Sequence, residues 1–140
     1  MRKLLIIFII LFILPSFSYP KEELEIPSEV ETLIVWGAIL KEEVAKPLGL
    51  SSEQKDEIAQ IISYYSQKLD SLRKASKKEI SKIKSRYESG SQIYLEKYKS
   101  ARKKAYTQEK YLQSEKIRKT CEVLTPAQFE KLKEIAQELF

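Results

Sequence analysis

The apolar positions of this chain change rhythm along its length, and each rhythm predicts a different element. Leu4 to Leu14 is an unbroken apolar run. Further on, Val30, Leu33, Ile34, Val35, Trp36, Ile39, Leu40 and Val44 form a broad stripe at helical spacing. Such breadth predicts a mostly buried helix, with Trp36 as its core anchor. Ser28-Glu29-Val30-Glu31 reads as its capping box: the Ser28 hydroxyl accepts from the third amide and Glu31 reaches back. This first helix runs from Ser28 to about Lys46, and Pro47 and Gly49 end it.

A tighter rhythm follows. From Ile58 through Ile61, Ile62, Tyr65, Leu69 and Leu72 the spacings alternate between four and three, as in a coiled-coil seam. Ile80, Ile83 and Tyr87 continue it, but the heptad position at Ser76 is polar, which predicts a bend or a weak contact there. Leu50-Ser51-Ser52-Glu53-Gln54 opens this second helix, with Ser51 as the cap and Gln54 three residues on. No strong breaker appears before Ser89-Gly90-Ser91, so the helix is about 55 Å long at 1.5 Å per residue. Tyr64 and Tyr65 belong to the core or to a dimer seam by their spacing.

Beyond the Gly90 turn, a third helix spans about Gln92 to Cys121, with a stripe of Ile93, Tyr94, Tyr98, Ala101, Ala105, Leu112, Ile117 and Cys121. The clearest start signal is Leu124-Thr125-Pro126-Ala127-Gln128-Phe129. Thr125 caps, Pro126 takes N1 where its missing amide is harmless, and Gln128 sits at N3. Leu124 and Phe129 are placed as a hydrophobic staple. The fourth helix then buries Phe129, Leu132, Ile135, Ala136 and Leu139 on one face.

Four capped helices predict an all-α fold. Composition agrees, since 3 Gly among 140 residues leave few turns for a sheet. A chain of this length forms at most one ordinary domain with a limited core, so long helices expose apolar surface that an oligomer would cover. Histidine is absent, which removes the commonest neutral-pH general base and a common metal ligand. Met1 is the only methionine and Cys121 the only cysteine, so no intramolecular disulfide forms. Cys121 reads as a small buried apolar residue in preference to an intermolecular disulfide. No glycine-rich phosphate loop or metal-ligand cluster appears, and no enzyme activity is expected.

The first run has its own meaning. Arg2 and Lys3 precede it, Pro15 ends it, and Ser16-Phe17-Ser18 supplies small residues at −3 and −1 of a cut after Ser18. Its 11 apolar residues fall short of the roughly 20 a membrane span needs. The expected organisation is a signal peptide at 1–18, an extended acidic leader at 19–27 and a helical domain at 28–140. An exported protein of this kind lies in the periplasm, with no membrane span after cleavage. Export also turns the pI near 9.1 away from nucleic acid and toward acidic chains or anionic envelope components.

The charge is concentrated. Arg73 to Lys104 holds twelve basic and three acidic residues, whereas Tyr19 to Leu72 holds five basic and eleven acidic. The basic stretch is either a solvated face or a binding surface. As a binding surface, its residues are Arg73, Lys74, Lys77, Lys78, Lys82, Arg86, Arg102 and Lys103, interleaved with Tyr87, Tyr94, Tyr98 and Tyr106. Long basic stems cover apolar area while their charge stays wet, and tyrosine adds contact at low entropic cost.

Two helix starts of the form Leu-Thr/Ser-x-x-Gln flank about seventy residues of charge-rich helix behind a signal peptide. The pattern resembles the Spy/CpxP family of periplasmic chaperones. Leu124-Thr125-Pro126-Ala127-Gln128 fits the LTxxQ motif fully, and Leu50 to Gln54 departs from it by Ser51 in place of Thr. The resemblance implies a long central antiparallel hairpin in a cradle-shaped homodimer. It implies an ATP-independent holdase for unfolded or misfolded envelope proteins, with no cofactor. Some relatives instead regulate envelope stress by docking on the periplasmic domain of a sensor kinase, and this is the alternative function. Metal-binding relatives use His, Cys or Met, of which only Cys121 would remain here. Two further readings are a Skp-like chaperone, which the terminal helices disfavour, and a coiled coil binding surface polyanions.

Overall fold

The computed structural model describes residues 25–140. The expected signal peptide, its cleavage point and most of the expected leader lie outside the described residues. Ile26 packs half-buried against the core and leads into α1 (Ser28–Val35). A 3₁₀ turn (Ala38–Leu40) and α2 (Glu42–Leu48) follow. Two long helices, α3 (Ser52–Arg86) and α4 (Gln92–Val123), pack antiparallel, and α5 (Pro126–Leu139) closes the order. No strand occurs among the described residues.

The expected first helix is three pieces. Gly37 adopts φ +70°, a left-handed conformation that costs glycine little and ends α1. Its amide donates to Ile34 at 3.0 Å. Pro27, not Ser28, is the N-terminal cap; Ser28 is already helical and its hydroxyl donates to Glu29 instead of capping. Trp36 consequently falls past the end of α1 and is 81% exposed, so it is not a core anchor. Pro47 lies inside α2, and Gly49 at φ +64° ends that helix. The Gly49 amide donates to Lys46 at 3.0 Å and the Leu50 amide to Ala45 at 3.3 Å, a Schellman closure that turns Leu50 into the core.

That core gathers at one end of the hairpin. Val30 and Ile34 of α1, Ile39, Ile58 of α3 and Leu132 of α5 are fully buried. Ile117 and Cys121 of α4 join them, as do Leu124 and Phe129. Outside this cluster the only buried residues of the two long helices are Leu69, Ile83 and Ala101, with Lys116 and Thr120 near the core. Besides Trp36, two stripe residues differ from expectation: Ile93 and Leu139 are exposed. Ile93 stands in the first turn of α4 and Leu139 in the last turn of α5.

The hairpin turn has a simple chemistry. Tyr87 is extended, Gly90 takes φ +86°, and Ser91 caps α4 by accepting from the Tyr94 amide at 3.2 Å. The Ser91 hydroxyl also donates to Glu88 at 2.8 Å. α3 passes Ser76 without a break in its helix. At this polar heptad position Ser76 lines a groove between the two long helices.

Candidate functional site

Two features stand out: a polar clasp where the helix starts meet, and a basic hairpin with open grooves. In the clasp, the Ser51 hydroxyl accepts from the Gln54 amide at 3.1 Å, and Gln54 Oε1 accepts from the Ser51 amide at 3.0 Å. Thr125 and Gln128 repeat this at 3.2 and 2.9 Å, with Pro126 at the first helical position. The two boxes then join. Gln54 Nε2 donates to Gln128 Oε1 at 2.7 Å, and Gln128 Nε2 donates to Gln54 Oε1 at 3.0 Å. Gln54 also donates to the Val123 carbonyl at 3.1 Å, and Gln128 lies 3.4 and 3.3 Å from those of Leu48 and Gly49. Each glutamine thus caps its own helix and serves carbonyls at the end of another. Leu50 and Leu124 are buried beneath the clasp.

On the hairpin, Arg73, Lys77, Arg102 and Lys103 come together. They line a groove of about 480 Å³ with Leu72, Ser76, Ile80, Ala105, Tyr106 and Glu109. Arg73 forms an ion pair with Glu109 across α3 and α4, with its Nε 3.2 Å from the carboxylate. That hydrogen bond, and then the carboxylate's charge, raise the Arg73 pKa above the usual guanidinium value. Lys74, Lys78, Lys82 and Arg86 are exposed on α3 outside this groove. Tyr87, Tyr94 and Tyr98 are half-buried toward the turn, the last two stacked with ring centres 5.9 Å apart.

Sequence reasoning missed two participants, Tyr111 and Lys116, and read a third, Tyr64, differently. Tyr111 is exposed and lines a second groove of about 500 Å³ with Leu72, Thr107, Gln108 and Leu112. Its position in the helical pattern was legible, but not its neighbours. Tyr64, expected in the core or a dimer seam, is not a core residue: it is exposed, meets Tyr65 edge to face at 5.1 Å, and carries the Lys68 ammonium 4.6 Å above its ring. Lys116 is only 3% exposed, and its ammonium donates to the Val35 carbonyl at the end of α1, at 3.4 Å. A cation suits a helix C-terminus. Burial, and then the charge of Arg73, lower its pKa from the usual lysine value.

Cys121 is buried, and desolvation, followed by Glu31 and Glu122, pushes its thiol up to about 12. It is a thiol at neutral pH and a poor nucleophile. Among the described residues, no group of three or more His, Cys, Asp or Glu is placed to hold a metal ion. No helix among them is long and apolar enough to cross a membrane. Comparison of the chain with family models, curated proteins and solved structures finds no match.

Proposed function

We propose that this protein is an ATP-independent holdase of the bacterial periplasm, of the Spy/CpxP kind, exported by its N-terminal signal and working as a cradle-shaped homodimer. Its clients are partly unfolded envelope proteins. The observation that carries the reading is the hairpin surface, where cations border shallow apolar grooves and exposed tyrosines. Lys77, Arg102 and Lys103 make no ion pair among the described residues, Tyr106 lies largely in solvent on the same groove, and exposed Tyr111 lines the second groove. Charge of this kind attracts acidic chains at long range, and shallow apolar contact then holds them loosely. Open grooves release a client more readily than a closed pocket, which a chaperone without ATP requires. The clasp keeps the helix ends together while the hairpin binds.

The test is suppression of client aggregation without ATP, with charge reversal at Lys77, Lys78, Arg102 and Lys103. A second reading, a regulator docking on one folded partner such as a sensor-kinase domain, draws on Trp36. An exposed tryptophan is a frequent anchor of specific interfaces. Binding lost on Trp36→Ala but kept on hairpin charge reversal favours that regulator.

A further inference from the structure

A well-packed helical hairpin would fill its seam, and this one does not at Ser76. The neighbouring heptad residues Leu69 and Ile83 are buried, while the hydroxymethyl of Ser76 opens onto the groove. Polar residues at core-seam positions cost stability, and proteins retain them where the gap has a use. The groove also has a direction. Arg73 faces Glu109, which sets the antiparallel register and brings Ile80 beside Arg102 further toward the turn. From Leu72 to Ile80 the α3 wall rises about 12 Å. At the Leu72 end the only cation, Arg73, is neutralised by Glu109. Toward the Ile80 end stand Lys77, Arg102 and Lys103, none of them in an ion pair among the described residues.

The volume falls within the range of small-ligand sites, about 300–1,000 Å³. We propose that this groove binds a free long-chain carboxylate. The head group meets Lys77, Arg102 and Lys103, and the acyl chain lies over Ala105 and the Tyr106 ring toward Leu72. Cations at one end, with Ala105, Tyr106 and Leu72 behind them, are the complement of an anionic amphiphile. Ser76 holds the space open. This assignment goes beyond holdase activity and stands or falls separately from it.

Titration of the purified protein with dodecanoate below its micelle concentration, read by calorimetry, tests the proposal. One site per chain is expected. Dodecanol, which lacks the charge, binds about tenfold more weakly, and Arg102→Gln with Lys103→Gln loses a similar factor and flattens the salt dependence. Ser76→Leu fills the seam, so it raises the melting temperature and lowers dodecanoate affinity at least tenfold. Undiminished binding by a folded Ser76→Leu protein overturns the assignment. So does equal binding of dodecanol, or binding to anionic vesicles with none to dodecanoate. Aggregation suppression measured on the same variants shows separately whether the holdase reading holds.

Discussion

Gln54 and Gln128, 74 positions apart, hold each other by two reciprocal amide hydrogen bonds of 2.7 and 3.0 Å. Each carboxamide oxygen also accepts a backbone amide at the start of its own helix. The same two residues are therefore caps and clasp together. The clasp links the ends of α2 and α4 to the starts of α3 and α5.

Loss of either glutamine should be costly and non-additive. Gln54→Ala and Gln128→Ala each remove a cap bond and the shared pair, so each should cost about 2 kcal/mol in urea denaturation. The double variant should cost less than the sum by about 1 kcal/mol. Gln54→Glu separates the roles, because a carboxylate can still accept from Ser51 but cannot donate to Gln128 or Val123. Stability equal to the parent would mean that capping alone matters.

The caps were legible because they are local. Ser51 with Gln54 and Thr125 with Gln128 bond over three residues, as their spacing predicts, whereas the same spacing at Ser28 and Glu31 forms no box. Their meeting was not legible, because it depends on how α3 packs on α4. The break at Gly37 was hidden by apolar residues on both sides, which continue a helical stripe across it. Ser76 was legible as a fault in the seam, predicting a bend or a weak contact, but the groove it lines depends on the facing residues of α4. Lys116 carried no signal, since a lysine in a polar helix reads as solvated.

The correction at Trp36 makes a prediction of its own. Trp36→Ala should change stability by less than about 1 kcal/mol, whereas Ile34→Ala, at a fully buried site, should cost about 2–5 kcal/mol. Trp36 is the only tryptophan, so acrylamide should quench the native protein's fluorescence almost as well as that of the urea-unfolded chain. Strong protection in the native state would restore it to a buried contact.

Alkaline stability should be governed by two opposed groups. The Cys121 thiol has a usual value of 9.0 and rises to about 12 in the fold. Its stabilising contribution is complete below pH 9 and is lost as pH rises toward 12, because the unfolded chain ionises first. Lys116 works the other way. Its pKa is lowered in the fold, so the cost of burying its charge is relieved as pH rises toward 10.5. Lys116→Met should therefore steepen the alkaline loss, and Cys121→Ala should reduce it by up to about 1.4 kcal/mol per pH unit. Denaturation midpoints between pH 8 and 11 measure both slopes. A Cys121→Ala profile parallel to the parent would remove the thiol from the account.

Salt should weaken client capture. The unpaired cations of the hairpin are exposed, and the Debye length shrinks to about 8 Å at 0.15 M salt. Capture rates should fall severalfold between 20 and 300 mM NaCl, and the fall should be smaller for a variant neutralised at Lys77, Arg102 and Lys103. Equal salt dependence in both proteins would assign the charge to solubility.

The most direct test of the holdase reading is aggregation of an unfolding client at near-stoichiometric ratios, without ATP, with the parent and with a variant reversed at Lys77, Lys78, Arg102 and Lys103. The account predicts suppression by the parent and its loss in the variant, with circular dichroism confirming that both remain helical. Failure of a folded parent to suppress aggregation, or equal suppression by both, would contradict it.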